Sequence, residues 1–186
     1  MDQHMFMDIG MGILIALGVA SVFGVAPTPE VVIFGVLFAL LPDIDFFLTR
    51  IAAIRKVIGE HRSATHFPLV HLVVSMVMYI FFGKVFATLY FICTFYHLVH
   101  DTLFLGWGIK WLWPYSNKSL SIFHDKGGVI TSEVLVWGPE DDRRIRNEYA
   151  SPNWVRDFYL RPGIIAFSEY GIFLAGFAAL LYQYGV

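Results

Sequence analysis

The sequence predicts an all-α polytopic membrane protein, a single membrane domain of about five transmembrane helices with a cytoplasmic insert, and three observations predict it. Of 186 residues, 57% are apolar and 15% charged, against about 45–50% and about 25% in soluble domains. Five apolar segments follow one another, separated by turn signals. Twelve of the thirteen lysines and arginines fall on one side of the resulting topology. This balance, with a mean hydropathy of +0.63, excludes a disordered chain, a coiled coil and a basic nucleic-acid-binding tail. The net charge of −2 gives no bias toward polyanions, and no nucleic acid is expected as a partner. The lone cysteine, Cys93, excludes an intramolecular disulfide and a cysteine-rich zinc site. Met1-Asp2-Gln3-His4 lacks the positive start of a secretory signal, so residues 1–30 are expected in the mature chain.

A spanning helix needs about 20 apolar residues. Ile9 to Pro29 carries no charge and predicts a helix over about 6–27. Pro27-Thr28-Pro29-Glu30 is a turn, and Val31 to Pro42 then predicts a helix over 30–42 that ends at Asp43. Phe67 to Gly83, interrupted only by His71, predicts 66–83, with Pro68 in its first turn. Gly83-Lys84 breaks the chain, and Val85 to Tyr96 predicts 85–104, with polar groups from His97 onward. Pro162 to Val186, holding one acid, Glu169, predicts 162–184. The short connections make the first two pairs antiparallel hairpins. Phe46 to Ile58 reads as an amphipathic helix. In the 106–161 insert, Ser119–Phe123 and Val129–Trp137 read as a small hairpin, Glu140–Tyr149 as a charged helix, and Asn153–Leu160 as an interfacial helix.

With the N-terminus on one side, that side also holds Arg50, Arg55, Lys56, Arg62 and the eight basic residues of 106–161; Lys84 alone lies opposite. The positive-inside rule then places the N-terminus and the long insert in the cytoplasm of a prokaryotic-type plasma (inner) membrane. All five tryptophans fall on the same side, which reads as interfacial anchoring.

Ionisable residues enter the apolar spans at one depth. Asp43 and His97 each lie 12 residues beyond a helix start on the opposite side, about 18 Å up at about 1.5 Å per residue. Asp8 opens the first helix and Glu169 lies about two turns into the last. Charges there cost a few kcal/mol each unless paired or metal-bound. Pro42 favours a break at Leu41, after which Asp43 and Asp45 can both turn toward one point, or either can instead cap the following helix. His61-Arg62 and His66 suit a metal and an anion, or form a solvated basic loop. His97 and Asp101 stand one turn apart on one helix face and can chelate one ion, or can be a hydrogen-bonded pair. The expected metal ligands are Asp43, Asp45, His61, His66, His97 and Asp101, with Asp8, His100 and Glu169 as further candidates. Glu169 can also serve as a partner to a metal-bound histidine or to Arg161. Arg62 would hold a phosphate or snorkel to headgroups. Asp45 would act as general base. His71 reads as a core histidine, and His4 and His124 as surface residues. Mixed imidazole and carboxylate donors favour zinc, with manganese or iron as alternatives.

The set Leu40-Leu41-Pro42-Asp43-Ile44-Asp45, His61-Arg62…Thr65-His66, His97…Asp101 and Gly108-Ile109…Leu112-Trp113-Pro114 resembles the YdjM-like family over roughly residues 1–115. The resemblance implies an inner-membrane-associated, metal-dependent hydrolase of a family also called LexA-binding. That family is distantly similar to the zinc-dependent phospholipase C superfamily, whose His-x-x-x-Asp pair His97 and Asp101 match. Asp8 stands where the family usually carries a histidine, and Ser63 where it carries a glycine.

These residues lead to the expectation of a metal-dependent hydrolase acting on a phosphoester of a lipid or lipid-like molecule. The alternatives are a metal-ion transporter and a structural membrane protein with a stabilising metal site. A soluble HD-type phosphohydrolase is set aside because it does not use the upstream Asp-x-Asp. A lipid phosphatase with a nucleophilic histidine is set aside because no arginine lies just upstream of His97.

Overall fold

The computed structural model describes residues 5–45, 64–104, 108–126, 129–149, 153 and 155–185. Among these, five α-helices are present: α1 (Met5–Phe23), α2 (Pro29–Leu40), α3 (Pro68–Thr102), α4 (Asp142–Tyr149) and α5 (Ile164–Tyr184). Helices α1, α3 and α5 are long and apolar enough to cross a membrane; α2, at 12 residues, falls short of that length by itself. Phe46–Ile58 lies outside the described residues.

Helix α1 stops earlier than its apolar run, because Gly24 takes a left-handed conformation (φ 63°) and Val25 N–H returns to Ala20 O at 2.9 Å. Helix α2 starts on Pro29 and tightens into a 3₁₀ turn over Leu41–Asp43, where Pro42 contributes no N–H to an α-helical ladder. Helix α3 is one element by hydrogen bonding but bends back on itself at Gly83 (φ 79°, ψ 177°). A straight helix would separate His71 and Tyr90 by about 28 Å. Instead His71 Nδ1 lies 2.9 Å from Tyr90 Oη, and Ser75 Oγ donates to Ala87 O at 3.1 Å. The two arms are therefore the antiparallel pair that Gly83-Lys84 predicts.

Helix α1 sits at the centre, packed by α2, α5 and α3. The core is Ile13, Ala16 and Val19 of α1, Val31, Val32 and Ala39 of α2, and Leu89 and Cys93 of the second arm of α3. Glycines set the helix separations. A Cβ on Gly12 would lie 2.8 Å from Gly35 O, and one on Gly10 would lie 2.4 Å from Ile172 O. Backbone thus meets backbone on two sides of α1, the close approach that small residues permit inside membranes. The outer faces are strongly apolar, with Ile80 and Phe81 each 74% exposed and Val22 83%. In water such a surface would be an association liability; in lipid it is ordinary solvation.

The insert contributes two strands to a three-stranded sheet that the all-α expectation allowed for only in part. The predicted hairpin forms as β2 (Ser119–Lys126) and β3 (Val129–Trp137), antiparallel, with Ser119 opposite Trp137. The addition is β1 (Leu103–Phe104), which leaves the end of α3 directly and pairs in parallel with β2. The predicted charged helix is α4, and the predicted interfacial helix is a π-helical segment, Val155–Leu160.

Replacing Gly10 by leucine should lower the midpoint of thermal unfolding in detergent markedly, since overpacking at a backbone contact costs about 1–3 kcal/mol or more. Gly18→Leu should not, because a Cβ there meets nothing within 4 Å. Melting curves of the two variants check this.

Candidate metal centre

Three segments deliver four ligand atoms to one buried point. The 3₁₀ turn after α2 presents Asp43, the 3₁₀ turn Ala64–His66 presents His66, and the last turns of α3 present His97 and Asp101. The ligand atoms of these residues all lie within 4.8 Å of one another. His66 Nε2 is 3.4 Å from Asp43 Oδ1 and 3.3 Å from Asp101 Oδ2. His97 Nε2 is 3.3 Å from Asp43 Oδ1 and 3.7 Å from Asp101 Oδ2. A tetrahedral ion with bonds of about 2.0–2.1 Å holds its ligands about 3.3–3.4 Å apart. Three of the four histidine–carboxylate distances have that spacing, and the fourth, His97 Nε2 to Asp101 Oδ2, is longer at 3.7 Å.

The tautomers also fit. His97 Nδ1 is 2.8 Å from Ala39 O, a carbonyl in the last turn of α2, where helix carbonyls lack intrahelical partners. A carbonyl only accepts, so Nδ1 carries the proton and Nε2 keeps its lone pair. Around His66, Thr65 Oγ1 donates to Asp45 Oδ2 at 2.6 Å and lies 3.1 Å from His66 Nδ1. The Thr65 proton is committed to Asp45, so His66 Nδ1–H donates to Thr65 and faces Asp45 Oδ2 at 3.4 Å. Both histidines therefore turn Nε2 to the centre. This is the arrangement in which a carbonyl or carboxylate behind an imidazole raises its basicity as a ligand.

The electrostatics call for a cation. Asp43, Asp45 and Asp101 are buried together with both histidines. Burial alone would strip His66 of a proton, but Asp101, Asp43 and Asp45 overrule it and its pKa is pushed up to about 10. A proton thus stands where a divalent ion would balance two carboxylates. The donor set of two imidazoles and two carboxylates, without a thiolate, suits zinc.

The remaining predicted residues fall around this point. Asp45 lies behind His66 rather than in the group of four; the Pro42 break turns Asp43 and Asp45 to opposite nitrogens of one ring. Asp8, wholly buried, places Oδ2 3.4 Å from His97 Nδ1 and Oδ1 3.4 Å from His100 Nδ1. Glu169, also wholly buried, accepts Met7 N–H at 3.0 Å and so caps the start of α1. His71 is the core histidine expected, but it also holds the site: its Nε2 is 2.7 Å from Thr65 O and fixes the turn that carries His66. His61, Arg62 and His4 lie outside the described residues, as does the side chain of His124.

Sequence reasoning missed Thr65 as a support for Asp45 and His66, although its place beside His66 was a signal. No signal could have marked the Ala39 carbonyl. Three of the tryptophans also make contacts that sequence reasoning did not foresee. Trp111 Nε1 donates to Thr102 Oγ1 at 2.9 Å, Trp137 Nε1 donates to Asp142 Oδ1 at 2.7 Å, and Trp113 stacks on Phe67 at 4.4 Å. An indole N–H seeks an acceptor; Trp111 and Trp113 clip the insert to the two ends of α3, and Trp137 ties β3 to α4 within the insert.

Fold and site together define a helical membrane protein with a buried His/Asp group able to hold a metal ion. The chain belongs to the YdjM inner membrane protein family, which matches residues 4–183. No curated protein and no solved structure matches it. None of these comparisons confirms a likeness to the phospholipase C superfamily.

Thr65→Val should weaken zinc binding by about 10–100-fold without unfolding the protein, as loss of a group behind a ligand does. Competition titration against a zinc indicator checks this. Zinc affinity of the unaltered protein should also rise by roughly tenfold per pH unit between pH 6 and 8, because binding must displace the His66 proton. The same titration at several pH values reads it.

Proposed function

We propose that the protein is a membrane-embedded, metal-dependent hydrolase of a phosphoester in a lipid or lipid-like molecule. The observation that carries the reading is the spacing of Asp43 Oδ1, His66 Nε2, His97 Nε2 and Asp101 Oδ2. The topology that goes with it has about five spans: α1, α2 with its 3₁₀ extension, the two arms of α3, and α5. The charge asymmetry sets the N-terminus and the insert on the cytoplasmic face. Family membership and the apolar helices support the membrane location.

Asp43, His66, His97 and Asp101 would hold a divalent ion, zinc in the first instance and manganese or iron next, which would supply an acidified water and positive charge for a phosphoryl oxygen. The chain's own residues do the rest. His66 and His97 present fixed Nε2 lone pairs. Asp45 and Thr65 hold the His66 ring, so Asp45 acts here as a positioning residue. Asp43, whose side chain is 9% exposed against 5% for Asp101, is the more accessible of the two carboxylates. Arg62, immediately before the 63–66 stretch, would hold the phosphate. The depth of the cluster makes membrane lipids the natural source of substrate.

One observation favours a second reading, a structural membrane protein with a stabilising metal site. Four protein ligands complete a tetrahedral shell, as in structural zinc sites, whereas catalytic sites keep a position open. A transporter fits less well, because this is the one such ligand group among the described residues and a path needs polar groups at several depths.

The test is metal content together with phosphatase and phosphodiesterase assays on lipid substrates in detergent. The hydrolase reading expects about one or more divalent ions per chain. It also expects activity to fall at least about 100-fold in Asp43→Asn and His97→Ala. Stoichiometric metal, no hydrolysis of any phosphoester and a large loss of thermal stability on chelation would establish the structural reading instead.

A further inference from the structure

The second arm of α3 and the first half of α5 both pack on α1 and leave a groove between them, a cavity of about 200 Å³. Its walls are apolar: Val99 and Leu103 on one side, Ile164, Ile165 and Ile172 on the other, with Met7 at its base. The stretches that line it run about 10–12 Å along each helix at about 1.5 Å per residue. The groove opens on the lipid-facing side, where Ile164 is 59% and Val99 37% exposed. Its inner wall is not apolar. His100, 3% exposed, lines it, and His100 Nδ1 meets Asp8 Oδ1 at 3.4 Å. Asp8 Oδ2 in turn meets His97 Nδ1 at 3.4 Å. An apolar slot that opens to hydrocarbon thus ends at a buried polar chain two contacts from the candidate metal centre.

The geometry points to this groove as the binding site for one acyl chain of a phosphorylated membrane lipid, a proposal that rests on the phosphoester reading above. The occupant follows from the surroundings. Hydrocarbon is the medium outside α3 and α5, and a concave, mainly apolar groove of about 200 Å³ offers room for a segment of a linear chain. Elsewhere on the lipid-facing surface Ile80 and Phe81, each 74% exposed, project and give a chain only annular contact. Both walls lie in the half of the helices nearest the metal centre, so a chain in the groove would keep its headgroup in the same layer as Asp43 and His97. The groove thereby selects for substrates with at least one unbranched acyl chain over soluble phosphoesters.

The test uses the full chain in phosphatidylcholine vesicles containing phosphatidic acid with a diazirine on one acyl chain. Label should concentrate on residues 96–103 and 164–172, at least fivefold above the outward stretch 79–82. Val99→Trp and Ile172→Trp should each cut that labelling at least fivefold at unchanged metal content, while Val73→Trp on the outer face should not. Uniform labelling of all lipid-facing stretches, labelling indifferent to both plugs, or cross-links from the groove to a second copy of the chain would overturn the proposal. Metal content and lipid hydrolysis, measured on the same samples, separate the two readings. Groove labelling without metal or hydrolysis removes the hydrolase and leaves the acyl site standing; metal and hydrolysis without groove labelling do the reverse.

Discussion

The site depends on how two imidazoles are held by the nitrogens that face away from it. His97 Nδ1 spends its proton on Ala39 O, and His66 Nδ1 spends its proton on Thr65, which is itself committed to Asp45. Both Nε2 atoms then face Asp43 and Asp101, where a metal ion would take the place of the His66 proton. Had either ring adopted the other tautomer, an N–H would point into the cluster and the donor set would be broken. The carbonyl that fixes His97 exists because α2 ends where it does, and α2 ends at Pro42. A helix terminus, ordinarily a debt of unsatisfied carbonyls, becomes here the second layer of a ligand set.

That arrangement can exist only if buried charge is brought together rather than scattered. A lone carboxylate among these helices would cost several kcal/mol. Asp8, Asp43, Asp45, Asp101 and Glu169 are instead gathered with His66, His97 and His100 around the start of α1. The gathering relies on close helix approach. Gly10, Gly12, Gly35 and Gly176 remove side chains from the contacts that α1 makes with α2 and α5. Larger residues at those contacts would push the neighbouring helices away, and with them Glu169 and the end of α2. The insert completes the construction from outside the bundle. Ser121 Oγ donates to Thr102 O, and Trp111 donates to Thr102 Oγ1, one residue beyond Asp101.

Much of this was legible in the sequence. Apolar runs and their punctuation marked α1, α2, the two arms of α3 and α5, because the bilayer demands long apolar stretches and glycine or proline to end them. The hairpin of the insert showed in its alternation. Counting residues from the helix starts put Asp43 and His97 at one depth, and the structure places them 3.3 Å apart. Asp101 followed from its position one turn beyond His97. The short β1 strand was not legible, since Leu103-Phe104 continues an apolar helix and becomes a strand only because β2 lies alongside.

The sequence by itself determined the class of the protein, the order of its helices and the layer in which its polar residues meet. These follow from local chemistry: hydropathy, helix period and the scarcity of charge. Tertiary structure alone decided the roles within that layer. Asp43 and Asp45, two residues apart, face opposite nitrogens of one histidine. His71, a histidine that looked merely buried, steadies the turn bearing His66. Such assignments depend on ring orientation and on backbone carbonyls exposed at helix ends. Those are set by how helices distant in sequence pack together, and no local pattern encodes them.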